Sequence, residues 1–234
     1  MSSIKIRLAE VEQRIRLAEQ RYSRAPGSVR LLAVSKTHPA AFISEALAAG
    51  QYRFGENYLQ EALEKIGQLR DQRLEWHFIG RIQSNKTRGI AENFHWVHSL
   101  YSIAHARRLN DQRPPDLPPL NVCLQILIDN EATKGGIAPE EAGNLIAHFS
   151  ELPRLRLRGL MTLPAPVQGL ENQRIAFHRL RLIREQLKSP EFGLETLSMG
   201  MTADLEAAIA EGATIVRVGT AIFGPRKSTL QSGK

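Results

Sequence analysis

Eight short apolar runs alternate with helix-patterned segments, and that rhythm constrains the fold of this chain more than any other feature. The runs are LLAVSK (31–36), QYRFGEN (51–57), WHFIG (76–80), HWVHSL (95–100), VCLQILID (122–129), LRGLMTL (157–163), TLSMG (196–200) and TIVRVG (214–219). Helical patterns lie between most of them. AAFISEALAAG follows the first run, YLQEALEKIGQLRD the second and ADLEAAIAEGA the seventh. APEEAGNLIAHFSEL carries Pro139 just inside a helix start. ENQRIAFHRLRLIREQLKS places Phe177, Leu180, Ile183 and Leu187 on one face. Strand followed by helix, repeated, predicts parallel strands joined by crossover helices. Several runs are apolar on both faces, as buried parallel strands require. At 234 residues the chain suits a single-domain (β/α)8 TIM barrel near the lower end of its size range, with a doubly wound open sheet as the alternative.

An extra helix precedes the first strand. Ile4, Leu8, Val11, Ile15, Ala18 and Tyr22 recur at spacings of four and three, and RAPGS (24–28) ends the pattern. This stripe is read as packing on the barrel rather than as a coiled coil or a membrane-surface helix. DQRPPDLPPL (111–120) is a stiff connection into the fifth strand, and nothing resembles an interdomain linker. One domain over 1–234 is expected, with 226–234 as a tail.

Composition narrows the function classes. The single cysteine, Cys123, lies in the apolar run NVCLQILI and reads as a core residue. One cysteine excludes an intramolecular disulfide and a multi-cysteine metal site. No signal-peptide pattern or membrane-length apolar run occurs, so a cytoplasmic protein with no membrane partner is expected. The net charge of +7 and pI of about 9.8 permit acidic partners or phosphorylated ligands. Yet the clusters Arg154/Arg156/Arg158 and Arg179/Arg181/Arg184 lack interleaved aromatic residues, which argues against nucleic acid. His95 and His98 stand three apart on a strand, where their side chains diverge, so they make a poor metal pair.

In a parallel barrel the working face lies at the carboxyl ends of the strands. Lys36 ends the first run, where a charged ammonium after LLAVS needs a partner or a use. Asn57 ends the second, and His77 lies within the third. Met161 and Thr162 end the sixth. Ser198, Gly200 and Met201 end the seventh, and Arg217, Gly219 and Thr220 the eighth. Backbone amides at Gly200, Met201, Gly219 and Thr220, with the Ser198 and Thr220 hydroxyls, could cradle a phosphate. Equally, the glycines could simply permit turns. A strand-end lysine beside a phosphate cup suits a phosphorylated aldehyde or ketone held as a Schiff base. A snorkelling lysine, or one paired with Glu56, is the plainer reading.

The segments LLAVSKTHP, RFGENYLQE, WHFIGRIQSNK, GLMTL and LSMGMTADLEAAIAEGATIVRVGTAIFG, in that order, resemble the YggS/PROSC family of pyridoxal phosphate homeostasis proteins. The likeness runs from the N-terminal helix to Gly224. Thr202 stands where a serine is usual, and Arg81-Ile82 where Pro-Leu is commoner. The resemblance implies an alanine racemase N-terminal-domain-like barrel carrying pyridoxal 5'-phosphate on Lys36. It further implies that Ser198, Gly200, Met201, Gly219 and Thr220 surround the phosphate, that Arg217 meets the pyridine nitrogen, and that Asn57 and His77 line the ring pocket.

That family implies a carrier in cofactor homeostasis, with no catalytic residue assigned. An arginine cannot give up its proton to the ring nitrogen, which weakens the ring as an electron sink. Racemisation also needs an acid/base group on each ring face, and none of Tyr22, Tyr52, Tyr58 and Tyr101 sits in a segment placed over the cofactor. A low-activity racemase-like enzyme, a Schiff-base aldolase and a module that docks on PLP-dependent apoenzymes are the alternatives. A monomer is expected. Lys134, Lys227 and Lys234 are secondary candidates for binding the cofactor, or plain surface lysines.

Overall fold

The computed structural model describes residues 3–70, 72–129 and 135–225. Lys134, Lys227, Lys234 and the expected tail lie outside the described residues. The strands are β1 (Arg30–Val34), β2 (Arg53–Glu56), β3 (Glu75–Phe78), β4 (Trp96–Leu100), β5 (Leu120–Gln125), β6 (Leu155–Met161), β7 (Thr196–Ser198) and β8 (Ile215–Val218). All neighbouring pairs are parallel, and β8 returns to β1, closing an eight-stranded barrel in sequence order. The open-sheet alternative is thereby excluded.

The helices are α1 (Ile4–Arg21), α2 (Ala40–Ala48), α3 (Leu59–Gln68), α4 (Thr87–Asn93), α5 (Ile103–Gln112), α6 (Pro139–Ala147), α7 (Leu170–Leu187), α8 (Leu205–Ala210) and α9 (Thr220–Phe223). No helix among the described residues is long and apolar enough to cross a membrane.

Alternation along each strand sorts the side chains into two sets. Leu31, Ala33, Phe54, Trp76, Phe78, Val97, Leu124, Leu160, Leu197, Val216 and Val218 join one continuous apolar cluster with the helices. The opposite parity faces the barrel axis: Arg30, Leu32 and Val34 on β1, Glu75 and His77 on β3, Trp96 and His98 on β4, Arg217 on β8. Trp96, Cys123 and Met161 form a separate small cluster there. The outer shell is thus apolar and the inner one unusually polar. Cys123 is a buried core residue, as expected, and burial raises its thiol to about 12.

The α1 stripe packs as the spacing predicts: Ile4, Leu8, Val11, Ile15 and Ala18 are buried against α2, α8 and α9. Glu19 is buried as well. Its carboxylate accepts the amides of Val29 (2.8 Å) and Gly27 (3.1 Å), which pins the turn into β1. Burial alone would raise that carboxyl; those two amides and Arg16 hold it below its ordinary value. Arginines on α1 reach further still. Arg7 donates to the Ile222 carbonyl (2.5 Å) and Arg14 to the Thr202 carbonyl (3.0 Å), so the extra helix braces the loops after β7 and β8.

Candidate functional site

A cavity of about 300 Å³ opens at the carboxyl ends of the strands. Its polar lining includes Lys36, Asn57, Thr202, Arg217, Gly219 and Thr220. Val34, Ile79, Met161, Leu163, Met201 and Ala203 supply apolar walls. Residues more than 180 positions apart in sequence meet here because β8 lies beside β1.

Lys36 stands two residues past the end of β1, not on the strand, and is half-buried. A buried network holds the segment around it. Lys65 donates to the Ser35 carbonyl (2.8 Å), to Glu56 (2.7 Å) and to Glu61 (2.6 Å). The Ser35 hydroxyl donates to Glu56 (2.6 Å), and the Thr37 amide to Glu61 (2.5 Å). Thr37 takes φ of +65°, unusual for a β-branched residue, and its bonded amide offsets that cost. Both neighbours of Lys36 are therefore clamped. Glu56, considered above as an ion partner for Lys36, is engaged by Lys65 and Ser35.

Arg217 is 4% exposed, and its guanidinium bonds only to neutral oxygens. It donates to the Ser198 carbonyl (2.5 Å), the Ser198 hydroxyl (2.8 Å) and the Thr162 carbonyl (2.9 Å). Burial lowers it to about 10, so it remains a cation at neutral pH. Asp204 opposes the shift from nearby, while its carboxylate accepts the Met201 amide (2.5 Å).

Ser198 ends β7 and His77 lies within β3, as the sequence reading placed them, but both sit below the cavity. Neither lines the cavity. Ser198 is fully buried beneath it, its hydroxyl committed to Arg217 and to His98 Nδ1 (2.7 Å). His77 sits deeper, with Nδ1 2.8 Å from His98 Nε2 and Nε2 2.8 Å from Glu75. A continuous chain Glu75–His77–His98–Ser198–Arg217 thus threads the barrel interior. Burial lowers His77 to about 4 and His98 well below its ordinary value, so both rings are neutral at pH 7. His98 is the residue that sequence reasoning missed. It shares the inward parity of Trp96, and that parity was the available signal.

Gly200 also stands outside the lining. It has φ of +94°, and a Cβ there would meet Ala208 on α8, so packing requires the glycine. Met201 lines the cavity, but its amide is taken by Asp204. The amides of Gly200, Gly219 and Thr220 find no acceptor among the described residues. Asn57 Oδ1 is likewise buried without a hydrogen-bond partner. A Cβ at Gly80 would overlap the Asn57 carbonyl, so that glycine lets the two loops close. His95 is no metal partner for His98: its Nδ1 accepts the Trp76 amide (3.0 Å), and no metal-ligating cluster occurs among the described residues.

The site therefore offers a clamped amine, unpaired amide donors, an orphaned carboxamide oxygen and a buried cation around an apolar slot. Such a donor set fits a flat phosphorylated aldehyde with one basic ring nitrogen. The model of the family "alanine racemase, N-terminal domain" matches residues 6–227. A pyridoxal phosphate homeostasis protein of Pseudomonas aeruginosa is 58% identical over 97% of this chain and 97% of its own. One from Escherichia coli is 50% identical over 97% of this chain and 98% of its own. PipY of Synechococcus elongatus, 39% identical, covers 95% of this chain and 100% of that one. It superposes with a TM-score of 0.85 without PLP and 0.83 with PLP bound. Alanine racemase of Corynebacterium glutamicum shares the fold alone, at 19% identity and a TM-score of 0.64, with 62% of its length covered. The chain belongs to the alanine racemase N-terminal-domain family and, within it, to the pyridoxal phosphate homeostasis proteins.

Proposed function

We propose that this protein binds pyridoxal 5'-phosphate reversibly and serves its supply inside the cell. One observation carries the reading. The cavity brings together Lys36, Asn57, Arg217, Gly219 and Thr220, an amine, a carboxamide, a guanidinium and backbone amides that match the aldehyde, ring and phosphate of that molecule. When bound, the cofactor supplies an aldehyde carbon for a primary amine and a conjugated ring.

The residues divide the binding among them. Lys36 presents its amine to the aldehyde, held by the Lys65–Glu56–Glu61 clamp on its neighbours. The amides of Gly219 and Thr220 and the Thr220 hydroxyl face the phosphate, with Gly200 behind them. Asn57 Oδ1 accepts a hydrogen bond at the ring edge. Arg217 donates to the ring nitrogen and keeps its own proton. Ser198 and His98 act on the cofactor only through Arg217, as positioning residues.

Binding without turnover is the role this arrangement favours. Arg217 holds the ring nitrogen unprotonated, and none of the four tyrosines lines the cavity. Among the described residues that line the cavity, none is a tyrosine, histidine or carboxylate suited to proton transfer opposite Lys36. The relatives' name points the same way, toward supply. Apoenzymes receiving the cofactor from a cytoplasmic monomer complete the proposal.

A visible absorption spectrum before and after dialysis tests it. The purified protein is expected to retain a cofactor band that Lys36→Ala loses. A Lys36→Ala protein that kept the band would overturn the lysine assignment. Rapid α-proton exchange of amino acids in heavy water by the loaded protein would overturn the carrier role.

A further inference from the structure

The opposite mouth of the barrel holds a second concentration of charge that the cofactor cavity does not use. Arg30 and Arg53 are the first residues of adjacent strands β1 and β2. Arg53 pairs in register with Glu75 at the start of β3. Arg158 comes from β6, at the point where the register with β5 shifts by one residue. Such a bulge re-aims the side chain it carries. Here the Arg158 side chain turns toward Asn121 (2.7 Å) and the Trp96 ring. Arg30 lies over that ring too, its guanidinium 5.6 Å from the centroid, with Arg158 at 5.8 Å.

Two guanidinium groups thus meet over one indole, while the neighbouring Arg53 guanidinium lies over the Tyr52 ring, 4.3 Å from its centroid, and acceptors are scarce. Glu75 is the one carboxylate among them; it forms an ion pair with Arg53 (3.5 Å to Nε) but no hydrogen bond to it, and its hydrogen bond goes to His77. Arg53 Nε is buried without a hydrogen-bond partner. The Arg30 guanidinium donates no hydrogen bond among the described residues. Burial, then the neighbouring Arg53, pull the Arg30 guanidinium below its ordinary value. Like charges held together beside unsatisfied donors are costly unless something negative joins them. The Arg53 and Glu75 side chains are 22% and 30% exposed, so a small ion reaches them from solvent.

We propose that Arg30, Arg53 and Arg158 form a binding site for a compact, doubly charged oxyanion, phosphate or a phosphomonoester, at the amino-terminal mouth of the barrel. Guanidinium forks suit such a group, because each offers paired donors to adjacent oxygens. Trp96 closes the site from below, and Glu75 opposes entry.

Calorimetric titration of the cofactor-loaded protein with inorganic phosphate at low ionic strength tests the site. One phosphate per chain is expected. Arg53→Gln should weaken it by about tenfold, through loss of a charged donor. Glu75→Gln should tighten it by about threefold, through loss of the opposing charge. Glycerol phosphate run in parallel distinguishes the sources: equal affinity assigns free phosphate, tighter binding a phosphorylated metabolite. No binding of either ligand, or binding that both variants leave unchanged, overturns the proposal. Because Arg53 and Glu75 stand at the far end of the barrel from Lys36, their effects identify this site whether or not the cofactor reading holds.

Discussion

The two faces of the sheet follow different rules. Outward-facing strand residues are almost all aliphatic or aromatic and merge with the helices into one core. Inward-facing residues include arginines, two buried histidines, a buried serine and a glutamate, and Glu75, His77, His98, Ser198 and Arg217 among them are joined by hydrogen bonds. The outer face settles whether the chain closes into a barrel. The inner face settles what the barrel holds. Substitutions on the two faces should therefore separate stability from binding.

The largest effect is expected on the outer face. Phe54 is fully buried on β2 and tilts against Trp76, with ring centroids 6.1 Å apart. Phe54→Ala removes that ring and leaves a cavity, at a cost of about 3–5 kcal/mol. Urea unfolding should show the loss, while the surviving folded protein binds cofactor as before. Lost binding with undiminished stability would break the division between the faces.

That division also explains what was legible in the sequence. Outward apolar parity and helical stripes repeat, so the strand count, the parallel order and the α1 face could be read directly. Helix α4 escaped because TRGIAEN is short, carries Gly89 and shows no stripe. The fifth strand was read to Asp129 but ends at Gln125, since Ile126 bridges to Ile137 and Leu127 donates to the Ile137 carbonyl. Apolar pattern alone does not reveal where a strand changes partner. Lys36, Asn57, Arg217, Gly219 and Thr220 were legible as strand-end residues, and they do meet around one cavity. His77 and Ser198 share the inward parity but not the height. Depth along a barrel depends on the stagger between strands, which no single run encodes. The arginines at the far mouth went unread for the same reason: Arg30, Arg53 and Arg158 are scattered in sequence and converge only through closure and a bulge.

A smaller effect is expected from the inner face in acid. His77 has a folded-state value of about 4, below the ordinary 6.5, chiefly because of burial. Between those values the unfolded chain binds more protons than the folded one, so stability rises with pH across the window. Its contribution is complete above about pH 6.5 and is lost as pH falls toward 4, a span worth roughly 3 kcal/mol. His98 adds in the same direction. His77→Gln should flatten the dependence of the urea midpoint on pH between 4 and 6.5. A slope equal to that of the unmodified protein would mean that the buried histidines do not link acid to unfolding.

The smallest expected change in stability sharpens the comparison most. Arg217 is as buried as the core phenylalanines, yet no carboxylate bonds to it. Burying a cation on neutral oxygens gains little, and a neutral side chain of similar length removes its desolvation cost. Arg217→Met removes that cost but takes a donor from the buried Ser198 and Thr162 oxygens, so the two effects offset in part and the net loss should be about 1–2 kcal/mol. The cofactor should bind roughly 10- to 100-fold more weakly, the cost of losing one charge-assisted hydrogen bond. Its absorption should also change, because the ring nitrogen loses the donor that kept it unprotonated. A variant with a larger loss of stability and normal affinity would make Arg217 a structural plug of the barrel. The reverse result assigns this buried charge to the ligand rather than to the fold.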